Sequence, residues 1–133
     1  MTRQQHYLTR ALDDIMAVKQ GGYAEEVGKI YGGLCHSFPV LVRACGLCQA
    51  LAFVEAKAGD SKGNWAQAYT LLRQHVAGQL GTDDPLDTIA KADMLTYLRY
   101  TRTILSAWVY YKRFAVSILK VESASTDGEE VGP

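Results

Sequence analysis

The sequence predicts an all-α protein, a compact bundle of five or six helices with short connections. Three observations carry this. Apolar residues recur at the helical period of three and four rather than alternating. Only three prolines occur in 133 residues. The breaks between periodic segments carry Gly, Asp and Pro in the order that stops and restarts helices. At 48% hydrophobic and 21% charged residues, the composition is that of a globular chain. A chain of this length buries roughly two-thirds of its extended surface on folding.

The first helix is expected from about Arg3 to Lys19, with Leu8, Leu12, Ile15 and Met16 inward and Gly21-Gly22 as its stop. The second runs from about Tyr23 to Cys35 on a stripe of Tyr23, Val27, Ile30, Tyr31 and Leu34, its end blurred by Gly32 and Gly33. The third is expected to start at Pro39, a residue suited to a first turn because it has no N–H to satisfy, and to end at Gly59. It is apolar nearly all round from Val40 to Val54, which places it at the centre of the bundle. Gly46 inside it costs about 1 kcal/mol against Ala, so close approach of a neighbour is expected there.

A fourth helix spans about Trp65 to Leu80, with Trp65, Ala68, Tyr69, Leu72 and Val76 inward and Gly81 as its stop. Thr82-Asp83-Asp84-Pro85 restarts the chain into a short fifth helix, about Leu86 to Ala92. Asp93 caps the sixth, expected from Met94 to Val121. Residues 1–121 are therefore expected to form one helical domain.

Charge is unevenly placed. The 14 basic and 14 acidic side chains cancel, but Glu122, Asp127, Glu129 and Glu130 fall in the last segment, where no basic residue occurs. Residues 1–121 thus carry a net charge of about +4. The small, polar and acidic residues from 122 to 133 cannot bury enough apolar surface to offset their ordering entropy, and are read as a disordered tail.

The last helix is the most informative. Tyr97, Thr101, Ile104, Trp108, Tyr111, Ala115 and Ile118 share one face, which should pack on the core. On the opposite side Arg99, Arg102, Arg113 and Lys120 fall within about 60° of one another, with Lys112 at one edge and Ser106, Tyr110 and Ser117 between. No Asp or Glu occurs from Met94 to Val121, whereas a solvated helix face usually mixes both signs. Either the cations are solvated or paired with carboxylates of another helix, or they form a track for phosphates on which Tyr110 stacks or hydrogen-bonds.

No catalytic constellation is found. Cys45-Gly46-Leu47-Cys48 matches C-x-x-C, but the βαβ context of a redox motif is absent. The two thiols read as small core residues one turn apart, or, with Cys35 and His36, as a zinc site. His6, His36 and His75 lie far apart with no evident carboxylate or nucleophile partner. Glu-x-x-His pairs, H-E-x-x-H and phosphate loops are lacking. No cofactor or metal and no enzymatic activity is expected. Three cysteines and no apolar run near the ~18–20 residues of a membrane span fit a reduced, cytoplasmic protein.

Three stretches taken together resemble one family. They are Tyr31-Gly32-Gly33-Leu34, then Phe38-Pro39-Val40-Leu41-Val42-Arg43, then Gly46-Leu47-Cys48-Gln49-Ala50-Leu51-Ala52-Phe53. With Ala68-Tyr69-Thr70-Leu71-Leu72, Asp93 followed by Tyr97, Arg99 and Thr101, and Lys112-Arg113-Phe114-Ala115, they resemble the small subunit of the type III-B CRISPR effector, the Cmr complex. The likeness spans roughly residues 3 to 120. Tyr110-Tyr111 stands where Trp is often found in the family, and the acidic tail and the cysteines are not part of its pattern. The resemblance implies a compact helical protein without catalytic activity of its own. Its copies stack in a filament along the guide RNA–target RNA duplex, beside the backbone subunits and the large polymerase-like subunit. It implies Arg43, Arg99, Arg102, Lys112 and Arg113 as RNA-facing candidates, with Arg43 alternatively a buried, paired cation. Two other readings remain: a purely protein-binding helical scaffold, and a thiol or zinc protein using Cys45 and Cys48.

Overall fold

The computed structural model describes residues 1–60 and 63–122. Six helices follow in order: α1 (Arg3–Gln20), α2 (Glu25–Cys45), α3 (Leu47–Asp60), α4 (Asn64–Leu80), α5 (Pro85–Ala90) and α6 (Met94–Ser117). No strand occurs among the described residues. The expected tail lies, Glu122 aside, outside them. Helices α2 and α4 form the middle of the bundle. α2 packs on α3, α4 and α6, while α1 lies along α6 and α5 bridges α3 and α4.

The helix ends are set by local chemistry. Thr2 opens α1 with a reciprocal capping box, its hydroxyl accepting from the Gln5 N–H while the Gln5 side chain accepts from the Thr2 N–H. Asp84 and Asp93 cap α5 and α6 through the N–H groups of Asp87 and Thr96. The hydrogen bond from Thr96 holds the Asp93 carboxyl below its usual range. Gly81, left-handed at φ 72°, closes α4.

The inward stripe of α1 is Tyr7, Ala11, Ile15 and Val18, so the expected Leu8 and Leu12 sit one position around the helix, on its exposed side. Tyr23, expected on the second stripe, is exposed and precedes α2. The third-helix boundary is the main correction. α2 runs straight through Pro39 to Cys45. A mid-helix proline removes the hydrogen bond to the carbonyl four residues back and costs about 3 kcal/mol. Burial of Phe38, Pro39 and Val42 against the core offsets that loss.

The true break is Gly46, at φ 88° and ψ 157°. Its N–H bonds to the Val42 carbonyl at 2.8 Å, and its own carbonyl accepts from Ala50 at 3.0 Å. One residue thus ends α2 and starts α3, in a backbone region essentially restricted to glycine. The most enclosed stretch is Ile30 to Cys35 in α2, all buried, rather than the run after Pro39. Gly32 does not end a helix. A Cβ there would lie 2.6 Å from Val121 Cγ2, so the glycine lets the chain after α6 settle on α2. That chain has left the helix: α6 stops at Ser117, Lys120 is left-handed at φ 63°, and the Val121 N–H returns to the Ala115 carbonyl.

A polar cluster sits inside the bundle. The Tyr31 hydroxyl and His75 Nδ1 share a hydrogen bond of 2.5 Å. His75 Nε2 faces Asp14 Oδ1 at 4.0 Å, which favours the proton on Nε2 and makes Tyr31 the donor. Tyr111 donates to Asp14 Oδ2 at 2.5 Å and accepts from Gln79 Nε2 at 3.1 Å. Helices α1, α2, α4 and α6 each contribute a member. Burial pushes the Tyr31 and Tyr111 hydroxyls and the Cys35 thiol well above their ordinary values.

Two outcomes follow from these constraints. Gly46→Ala should lower stability by about 1–3 kcal/mol because of its backbone region. Gly28→Ala, inside α2 with nothing near its Cβ position, should raise it by about 0.5–1 kcal/mol. Denaturant unfolding of the two variants checks both signs. Burial also pushes His75 below its ordinary value, against the opposing pull of Asp14, with Arg10 adding to the fall. The unfolded chain then takes up a proton that the folded chain refuses. The contribution is complete above the ordinary imidazole value of about 6.5 and is lost as pH falls toward the depressed folded value. Between about pH 7.5 and about pH 5.5 the urea midpoint should fall further in the wild type than in His75→Gln. Equal falls would contradict the assignment.

Candidate nucleic-acid interface

The rotation of α6 decides which side chains face out. Ile104, Ala107, Trp108, Tyr111 and Ala115 are buried, and residues on the far side must then be exposed at 100° per residue. Arg99, Arg102 and Arg113 are exposed there. None of the three has an ion-pair partner among the described residues, whose ion pairs involve Arg73, Lys91 and His75. The alternative in which they pair with carboxylates of another helix is therefore not seen among those residues.

The other basic candidates divide. Arg43 lies in the last turn of α2 and is exposed, not buried and paired. Its end of α2 adjoins the start of α6, where the Tyr97 hydroxyl accepts from the Cys48 N–H at 3.1 Å. Lys112 is half-buried at one edge of that face and, with Glu122 and His36, lines a cleft of about 570 Å³. The cleft's walls come mainly from apolar residues of α2, α3 and α4. Lys120 drops out of the helix face, because α6 has ended before it. The Tyr110 hydroxyl is already engaged within the chain, donating to Gln4 Oε1 of α1 at 2.6 Å.

The thiols do not sit as expected. Cys45 closes α2 and is exposed, its Sγ bonded to the Leu41 carbonyl at 3.2 Å. Cys48 is half-buried in the first turn of α3, across the Gly46 break, so the pair does not share one buried helix. Cys35 is fully buried. No group of three metal-binding side chains is assembled among the described residues. His75, read from sequence as lacking a carboxylate partner, faces Asp14. Four helices build that cluster, and no local sequence pattern announces it.

In class, this is a small all-helical protein whose last helix leaves a face uncovered by the other described residues. A family model for CRISPR-associated proteins, Cas_Cmr5, matches residues 3–118. The CRISPR system Cmr subunit Cmr5 of Thermus thermophilus is 34% identical over 122 residues, covering 90% of this chain and 97% of the relative. The crystal structure of a CRISPR-associated Cmr5 family protein, also from Thermus thermophilus, superposes with a TM-score of 0.68. It is 32% identical and covers 89% of this chain and 97% of that one. The chain belongs to the Cmr5 family, the small subunits of the type III-B CRISPR effector. It is an accessory subunit of the Cmr complex in CRISPR defence, of a family not known for catalysis. Among the described residues no helix is long and apolar enough to cross a membrane.

The placement of the cysteines has a direct readout. In the folded protein Cys45 should react with a maleimide at once, and Cys35 only at the rate of unfolding. Mass spectrometry of timed digests gives both rates, and rapid labelling of Cys35 would contradict its burial.

Proposed function

We propose that this protein is the non-catalytic small subunit that lines the RNA path of the Cmr ribonucleoprotein. Copies stack along the guide RNA–target RNA duplex, between the backbone subunits and the large polymerase-like subunit. RNA contact runs through Arg99, Arg102 and Arg113 on α6, with Arg43 extending the surface at the adjoining end of α2. Lys112 has a lesser part, since it faces the cleft. The single observation that carries this reading is the set of three outward guanidiniums on one helix face, none in an ion pair with a carboxylate among the described residues. Guanidinium suits the task because its fork of donors matches phosphate oxygens. A polyanion also gains counterion-release entropy from each neutralised phosphate. Three contacts make a weak binder alone, which fits a repeated subunit better than a stand-alone reader of sequence.

The test uses the assembled complex. Arg102→Gln with Arg113→Gln should lower the slope of log affinity for target RNA against log salt by about 1.5, at roughly 0.7–0.9 per lost contact. The folded variant should keep its thermal midpoint, because both side chains are exposed and unpaired among the described residues. A slope equal to that of the wild type would overturn the RNA-facing role.

A further inference from the structure

The cleft between α2, α3 and α4 has the size and lining of a ligand site. Its volume of about 570 Å³ falls within the roughly 300–1,000 Å³ of small-molecule pockets, which are apolar and aromatic with a few placed polar groups. Leu34 and Phe38 of α2, Phe53 of α3, and Trp65, Tyr69 and Leu72 of α4 line it. Phe53 meets the Tyr69 ring edge-on with centroids 6.1 Å apart, and Trp65 lies at the same distance with its plane 30° from that of Tyr69. Phe53 is 42% exposed, so part of this aromatic wall is still uncovered. One polar group in the wall is unsatisfied. Tyr69 is only 3% exposed, and its hydroxyl has no hydrogen-bond partner among the described residues. Among those residues Trp108 Nε1 is the one buried side-chain polar atom that is both unpartnered and sealed from solvent. The Tyr69 hydroxyl therefore keeps an outlet, and the cleft is the opening that Tyr69 borders. Burial raises its pKa, so it holds its proton and donates. The nearby polar groups are engaged: His36 Nε2 donates to the Val121 carbonyl at 2.8 Å, and the Ser37 hydroxyl donates to the Leu34 carbonyl at 3.5 Å.

We propose that this cleft takes the base of an unpaired nucleotide, its ring against the aromatic wall and a carbonyl oxygen or ring nitrogen of its edge accepting from the Tyr69 hydroxyl. The lining selects that occupant. A purely apolar group would strip water from the hydroxyl and leave it unpaired, which costs more than the contact returns. A simple anion would meet Glu122 as well as Lys112, the two charged side chains that line the cleft among the described residues. An uncharged planar ring with acceptors on one edge meets both demands, and a nucleobase is such a ring, held elsewhere by stacking on aromatic side chains and hydrogen bonds to its edge. Lys112 joins the cleft to the basic face of α6, since it lines the one and stands at the edge of the other. Its ammonium is the group on this side of the protein for a nucleotide's phosphate. With RNA as the source of the base, the proposal rests on the RNA-facing reading of α6. With a free mononucleotide it stands without that reading.

Two probes test the cleft and separate the sources. Uridine and adenosine monophosphates titrated into the isolated chain should shift the amide NMR signals of Leu34, Phe53 and Tyr69, whereas ribose phosphate, which lacks the base, should not. Target RNA carrying thiouridine, irradiated in the assembled Cmr complex, should cross-link to Phe53, Trp65 or Tyr69. Tyr69→Phe keeps the ring and breaks no hydrogen bond among the described residues, so its thermal midpoint should match the wild type. Its response to either probe should weaken by about fivefold, the loss of one hydrogen bond. Cross-links that fall in Tyr69→Phe assign the base to RNA. Shifts with the monophosphates and no cross-links assign it to a free nucleotide. No response to either probe, an equal response to ribose phosphate, or an undiminished response in Tyr69→Phe overturns the proposal. A wild-type salt slope in the Arg102→Gln, Arg113→Gln variant, beside intact monophosphate binding, overturns the RNA-facing reading alone.

Discussion

Trp108 lies flat on Tyr111, with ring centroids 4.0 Å apart and planes 10° from parallel, and Phe38 of α2 meets the Trp108 ring edge at 5.3 Å. These three rings are among the largest fully buried side chains of the protein. Their contact fixes the rotation of α6 about its own axis. Turning the helix by one residue would swing Trp108 some 100° out of the core, forfeiting about 1.5–3 kcal/mol or more of burial. Once that rotation is set, the direction of every other side chain on α6 is set with it. The arginines face outward because the aromatics cannot.

The same packing carries a polar load. Tyr111 sits in the aromatic stack and reaches Asp14 and Gln79, while His75 stands between Asp14 and Tyr31. Apolar contacts tolerate sliding between helices, whereas hydrogen bonds of defined geometry do not. The cluster therefore specifies how α1, α2, α4 and α6 register on one another. A cost accompanies the arrangement: Trp108 Nε1 is buried without a partner among the described residues, which at roughly 1–3 kcal/mol is of the same order as the burial gained by the ring.

Much of this was readable from periodicity alone. The extents of α1, α4 and α5, the start of α6, and the caps at Asp84, Asp93 and Gly81 follow from local chemistry that acts within one turn. The inner face of α6 and the acid-free outer face are visible on a helical wheel. Three misreadings share one cause, a local rule overruled by packing. Pro39 signals a helix start, yet core burial carries α2 through it. Gly32 signals a stop, yet it makes room for Val121. Leu8 and Leu12 are greasier than Tyr7 and Ala11, but α1 turns Ala11 inward, where a small residue permits close approach. The polar core was invisible because Asp14, Tyr31, His75 and Tyr111 are distant in sequence, and only the tertiary fold brings them together. Lys120 leaves the face for another reason: a wheel assumes an endless helix, whereas α6 ends at Ser117.

The arginine-bearing outer face of α6 is the hinge of the functional account, and its accessibility in the working assembly can be measured directly. Arginine-selective dicarbonyl footprinting of the assembled Cmr complex, with and without target RNA, reports on each guanidinium separately. Arg99, Arg102 and Arg113 should label readily before RNA is added and become protected afterwards, while Arg3, exposed at the start of α1, labels equally in both states. Equal labelling of the three α6 arginines in both states, or protection already complete before RNA arrives, would contradict the account.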